Sequence, residues 1–178
     1  MATGASAVFL DRDGTLIEDV GYPRDPDEVR ILPDAVEGLR RLDSAGLLLV
    51  VVSNQSGIAR GLVSLAEATA VQRRFVACFA AAGISFAGIY VCPHGPGEGC
   101  RCRKPSPGML LDAARDLGIA LGNSFVIGDK DSDTEAGKRA GCEAILLNSR
   151  EEAAISVDSI ARNWKEAVDF ILDPRGPG

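Results

Sequence analysis

Short runs of apolar, β-branched residues recur along the chain at Ala7–Leu10, 47–52, 89–91, 125–127 and 144–147, and amphipathic stretches fill most of the gaps between them. Runs without polar alternation read as strands covered on both faces, and strand and helix signals in turn predict an α/β fold, a doubly wound parallel sheet. Ala35, Leu39 and Leu42 mark a first helix closed by Gly46. Val71, Phe75, Val76 and Phe79 mark a second, capped by Ser64 with Glu67 three residues on and ended near Gly83. Leu110, Leu111, Ala114 and Leu117 mark a third, from about Pro107 to Gly118. A fourth is predicted from about Asp133 to Ala140, and a last over 160–172, carrying Trp164, Val168 and Ile171 and halted by Pro174. The expected organisation is one domain over 1–173 with a disordered tail over 174–178.

The 178 residues are long enough to bury one core, and a net charge of −6 gives no basic footprint for nucleic acid or anionic membrane. No stretch approaches the length of a membrane helix, and the first apolar run is too short for a signal peptide. The expectation is a cytoplasmic monomer with reduced cysteines and a small-molecule substrate, without nucleic-acid or membrane partners.

Chemistry gathers where the strands end. Asp11 and Asp13 follow the first strand, and Gly14 lets the chain turn away. Two acids at one crevice suit a nucleophile and a proton carrier, although a lone pair of this kind also occurs as an acidic turn. Ser53-Asn54-Gln55-Ser56-Gly57 follows the second strand, where hydroxyl and backbone N–H groups suit phosphate oxygens or simply cap a helix. Arg103-Lys104-Pro105 puts two cations before a stiffening proline, and an isolated pair like this is more often solvated surface. Asp129, Asp131 and Asp133 cluster after the fourth strand and offer hard oxygen ligands for Mg²⁺. Cys92-Pro93-His94 and Cys100-Arg101-Cys102 supply four N and S ligands across a Gly/Pro-rich loop, enough to close a structural Zn²⁺ site. Cys78 and Cys142 read as small core residues.

The four strand-end segments in this order resemble the motifs of the haloacid dehalogenase superfamily of phosphotransferases: Asp11-Arg12-Asp13-Gly14-Thr15, Ser53-Asn54, Lys104-Pro105 and Gly128-Asp129. The cysteine loop narrows the resemblance to a zinc-bearing subgroup without a large cap domain, the D-glycero-D-manno-heptose 1,7-bisphosphate 7-phosphatases and the histidinol-phosphatases. Asp19-Val20-Gly21-Tyr22 and the run from Ser53 to Gly61 look like the heptose enzymes, whereas the five-residue spacer between His94 and Cys100 looks more like the histidinol enzymes.

The resemblance implies that Asp11 attacks phosphorus, Asp13 is acid and then base, and Ser53 and Lys104 bind phosphoryl oxygens. It places Mg²⁺ on Asp11, the Asp13 carbonyl and Asp129, and Zn²⁺ on Cys92, His94, Cys100 and Cys102. Substrate contacts carry over to Asp11, Arg12, Asp13, Asp19, Val20, Gly21, Tyr22, Ser53, Asn54, Gln55, Ser56, Arg103, Lys104 and Lys130. Arg103 and Lys130 are spare cations for a second phosphate, and Lys130 could equally pair with Asp131 or Asp133. Other classes predict differently: a phospho-accepting receiver domain would hold a slowly decaying aspartyl phosphate, and a non-catalytic zinc-loop module would bind partners.

Overall fold

The computed structural model describes residues 4–147 and 158–173. Strands β1 (Ala7–Leu10), β2 (Leu48–Asn54), β3 (Gly88–Cys92), β4 (Phe125–Gly128), β5 (Glu143–Leu147) and β6 (Ser159–Ala161) form one sheet in the order β3-β2-β1-β4-β5-β6. Every neighbouring pair is parallel. Helices α1 (Pro33–Ser44), α2 (Leu65–Ala81), α3 (Gly108–Leu117), α4 (Asp131–Ala140) and α5 (Trp164–Leu172) cover it.

The alternation of β1 divides the core. Val8 and Leu10 face one apolar layer with Leu39 and Leu42 of α1, Phe75 and Phe79 of α2 and Val168 of α5. Ala7 and Phe9 face the other, with Met109, Leu110 and Ala113 of α3 and Ala136 of α4. All four residues of β1 are buried, which is why its sequence shows no polar alternation. Gly38 lets α1 approach α5: a Cβ there would stand 2.6 Å from the Trp164 ring.

The expected helices and their caps form, including the reciprocal Ser64–Glu67 box at the start of α2. Three readings need correction. The last helix starts at Trp164, capped by Asn163, rather than at Ile160, which lies in β6. That edge strand is three residues long, pairs with β5, and exposes Ile160 by 44%. Helix α4 begins at Asp131, two residues early, where the Lys130 N–H donates to Asp133 Oδ2 at 3.1 Å. Val76 and Leu111 lie outside the buried faces of α2 and α3. The tail at 174–178 lies outside the described residues. Among the described residues no helix is long and apolar enough to cross a membrane.

Candidate active site

The sheet order reverses between β1 and β4, so the connections leaving those two strands diverge and open a crevice at their carboxyl ends. Leu10 is level with Val51 on one side and Ile127 on the other, which brings Asp11, Ser53 and Asp129 to the same edge. The Asp11 N–H donates to the Ile127 carbonyl at 3.1 Å, so the aspartate is fixed by the ladder itself. Gly14 then turns the chain at φ +87°, and a side chain there would collide with Asp129, its Cβ falling 2.3 Å from Oδ2. Glycine is needed at this position for both reasons.

Lys104 is the centre of the site. It is 3% exposed, and its Nζ lies 2.7 Å from Asp11 Oδ1, 2.7 Å from Asp133 Oδ1 and 2.6 Å from the Val52 carbonyl. Burial alone would push its pKa down, but the charges of Asp11 and Asp133 more than offset this and hold the ammonium above the usual lysine range. Asn54 fixes the backbone beneath it. Its Oδ1 accepts from the Lys104 N–H and its Nδ2 donates to the Lys104 carbonyl, both at 3.1 Å. The Lys104–Pro105 peptide is cis.

Asp13 occupies the other side of the crevice. Arg12 grips it with Nε on Oδ2 at 3.0 Å and Nη2 on Oδ1 at 3.1 Å, and Gln55 Nε2 reaches Oδ2 at 2.7 Å. The same Gln55 nitrogen lies 2.7 Å from Ser53 Oγ, so the end of β2 and the turn after β1 are joined through one amide. Trp164 Nε1 donates to the Thr15 carbonyl at 2.9 Å and ties the turn to α5.

Asp11, Asp129 and Asp133 each offer a carboxylate oxygen, all within 4.8 Å of one another. Burial, and then the charge of Asp11, pushes Asp129 up to about 7. Carboxylates crowded in this way call for a cation, and hard oxygen donors suit Mg²⁺. Between the end of β3 and the 93–107 loop the Sγ atoms of Cys92, Cys100 and Cys102 are separated by 3.1, 3.5 and 3.7 Å, and His94 Nδ1 is 3.5 Å from Cys92 Sγ and 3.3 Å from Cys102 Sγ. Tetrahedral zinc with ordinary Zn–S bonds requires sulfurs about 3.8 Å apart. Burial, reinforced by the neighbouring Cys102 thiol, pushes Cys92 up to about 12, so Cys92 does not ionise unaided, whereas at Cys100 burial is outweighed by the backbone at Arg103 and the neighbouring thiols, which bring the thiol down to about 7. A dication supplies the missing charge, and the S₃N donor set fits Zn²⁺.

Residues 101–173 match the HAD-hydrolase-like family. The D-glycero-beta-D-manno-heptose-1,7-bisphosphate 7-phosphatase of Pasteurella multocida is 46% identical over 173 residues, covering 94% of this chain and 91% of that one. The chain belongs to the HAD-like hydrolases. A Burkholderia mallei relative named for the alpha anomer is 35% identical over 96% of this chain and 95% of its own. The crystal structure of D,D-heptose 1,7-bisphosphate phosphatase from B. bronchiseptica, complexed with magnesium and phosphate, superposes with a TM-score of 0.85 at 31% identity, covering 95% of this chain and 99% of that one.

In this HAD-like hydrolase Asp11, Asp13, Ser53, Gln55, Lys104 and Asp129 converge on one crevice. Arg12 turns its guanidinium onto Asp13 rather than outward. Lys130 pairs with neither Asp131 nor Asp133 but reaches Asp19 at 3.0 Å. Asp19 Oδ1 accepts from the Gly21 N–H at 2.9 Å. Partial burial opposes its charge, but that N–H and Lys130 outweigh it and hold Asp19 below the usual carboxylate range. Tyr22 lies against Gly57 with Arg60 6.0 Å above its ring, and Val20 is exposed. Arg103 Nη1 donates to the His94 carbonyl at 3.1 Å, beside a cleft of about 390 Å³ shared with Gly95, Cys100 and Ser106. Asp133 is the residue that the motif reading left out of the site. Its signal is its place on the first turn of α4, facing the crevice, whereas Asp131 faces solvent.

Proposed function

We propose that the chain is a Mg²⁺-dependent phosphatase that removes the 7-phosphate of D-glycero-D-manno-heptose 1,7-bisphosphate, in bacterial surface-carbohydrate synthesis. The observation that carries this reading is Asp11, held at the end of β1 by buried Lys104 beside Asp129, in a chain that matches a heptose bisphosphate phosphatase at 46% identity over 94% of its length.

Asp11 attacks phosphorus in line, forming an Asp11–phosphorus bond as the bond to the sugar oxygen breaks. Asp13 gives a proton to the departing oxygen. Water then attacks the aspartyl phosphate while Asp13 takes its proton, breaking the Asp11–phosphorus bond, releasing phosphate and restoring the Asp11 carboxylate and the protonated Asp13. Lys104 and Ser53 hold the non-bridging oxygens. Asp11, Asp129 and the Asp13 carbonyl hold Mg²⁺, which when bound neutralises the phosphoryl charge that would otherwise repel Asp11. Cys92, His94, Cys100 and Cys102 hold structural Zn²⁺. Arg103 and Lys130 supply positive charge for the second phosphate, with Asp19 to Tyr22 and Asn54 to Ser56 shaping the sugar side.

The test is phosphate release with Mg²⁺ from both heptose bisphosphate anomers, histidinol phosphate and fructose 1,6-bisphosphate. We expect a preference of at least about 100-fold in kcat/KM, or ~2.7 kcal/mol, for one heptose anomer. Preference for histidinol phosphate would overturn the substrate and leave the chemistry standing. Asp11→Asn should release no phosphate from any of them while keeping the wild-type circular dichroism and Tm. Near-normal turnover by that variant would remove Asp11 as nucleophile.

A further inference from the structure

The arginine between the two aspartates runs inward: Arg12 is 2% exposed, and every branch of its guanidinium is engaged. Nε and Nη2 hold the two oxygens of Asp13, and Nη1 donates to Gln72 Oε1 at 3.1 Å, on the far side of the crevice wall in α2. Gln72 makes a poor bargain on its own account. Its Nε2 is buried without a hydrogen-bond partner among the described residues. A buried donor left bare is unfavourable, and turning the amide over would set its N–H groups against those of Arg12, donor against donor. The side chain therefore keeps its oxygen on Arg12 and leaves its nitrogen unsatisfied.

The donors are also unevenly shared at the other end of the relay. Asp13 Oδ2 accepts from both Arg12 Nε and Gln55 Nε2, which fills its two lone pairs. Among the described residues Oδ1 accepts only from Arg12 Nη2 and keeps one lone pair free. We propose that Gln72 is a positioning residue for the acid–base chemistry of Asp13. Its amide oxygen sets the plane of the Arg12 guanidinium, the guanidinium sets the plane of the Asp13 carboxyl, and the transferable proton is thereby confined to Oδ1. As the bond from phosphorus to the sugar oxygen breaks, its electron pair stays on that oxygen and the Oδ1 proton moves onto it. This rests on the reading of Asp13 given above.

The leaving group separates positioning of the acid from general support of the fold. The value of kcat/KM reports only steps up to departure of the leaving group. An alkyl phosphate needs the proton for that departure, and 4-nitrophenyl phosphate does not. Gln72→Met, of similar length and a good helix former, should lower kcat/KM about tenfold for heptose bisphosphate and less than about twofold for 4-nitrophenyl phosphate, since a well-placed general acid is worth a factor of about 100 or more. Gln72→Ala should behave alike. Gln72→Glu, which keeps an oxygen toward Arg12, should recover most of the loss. Asp13→Asn should lower the same alkyl-to-aryl ratio further. If Gln72→Met and Gln72→Ala depress both substrates equally, or neither, while Asp13→Asn lowers the ratio, the role of Gln72 is wrong and that of Asp13 stands. An unchanged ratio in Asp13→Asn, or no release of phosphate by the wild-type chain, would sink both.

Discussion

Lys104 shows how one buried charge can serve structure and chemistry together. It neutralises Asp11 and Asp133, and each of those carboxylates would be strongly disfavoured alone in so dry a place. Removing one member of a buried ion pair costs about 3–5 kcal/mol. Lys104→Met should therefore lower Tm by well over the shift typical of a surface change, and Mg²⁺ should return part of the loss by supplying charge to the same carboxylates. Phosphatase activity should fall by on the order of 100-fold because a preorganised donor to the phosphoryl group is gone. Thermal melts with and without Mg²⁺, beside turnover, check each part; a Tm unaffected by the substitution would mean the pair contributes nothing to the fold. At this scale Asp11, Asp13 and Asp129 were legible in the sequence, because each stands at or just beyond the end of an apolar run that reads as a buried strand, whereas Lys104, beyond the cysteine loop, stood out only through the motif resemblance. Asp133 was legible only as one of three acids in a cluster, and Gln72 was not legible at all. The aim of Asp133 depends on where α4 starts, and that of Gln72 on a contact sixty residues away in the chain.

Among the elements, α2 owes its start to a capping box that could be read directly: Ser64 Oγ accepts from the Glu67 N–H, and Glu67 Oε2 accepts from the Ser64 N–H. Arg24 adds a contact to Glu67 at 2.9 Å and ties the segment before α1 to α2. The Ser64 N–H and hydroxyl, with Arg24, hold Glu67 down at about 2. Its folded pKa lies below the ordinary value of 4.5, so its contribution is fully present above that value and disappears as the pH falls through about 2. The Tm difference between wild type and Glu67→Ala should be largest near neutral pH and shrink steadily below about pH 4.5. An equal difference at pH 6 and pH 3.5 would assign the effect to packing instead of charge. The sheet edge was harder to read. β6 has three residues, with Ser159 half-buried, Ile160 exposed and only Ala161 in the core, so it lacks the apolar run that marks the central strands. Ile160 consequently fits the helical spacing of Trp164, Val168 and Ile171, and only Asn163, whose side chain accepts from the Glu166 N–H, marks where the helix begins.

Across the whole molecule, the strand order decides which pieces meet, and one piece has the furthest to come. Asp11 and Asp129 leave adjacent strands, but Lys104 belongs to the connection after β3, on the sheet edge, and has to reach past the end of β2 to touch Asp11. Asn54 grips its peptide from β2, and the loop that delivers it is closed by Cys92 at the end of β3 and by Cys100 and Cys102 just before it. Without a metal, those residues are a glycine- and proline-rich loop of low intrinsic order, so binding Zn²⁺ and ordering the path to Lys104 are one event. The protein should accordingly carry one Zn²⁺ per chain when purified without chelator. Stripping it should lower Tm and cut phosphatase activity by on the order of 100-fold, because misplacing a catalytic group by about an ångström is enough to do so. Added Zn²⁺ should restore both, and added Mg²⁺ alone should restore neither, since a hard cation does not compete for three sulfurs and an imidazole. Full activity in a chain shown by metal analysis to be zinc-free would mean that Asn54 and the packing of the loop suffice to hold Lys104 on Asp11.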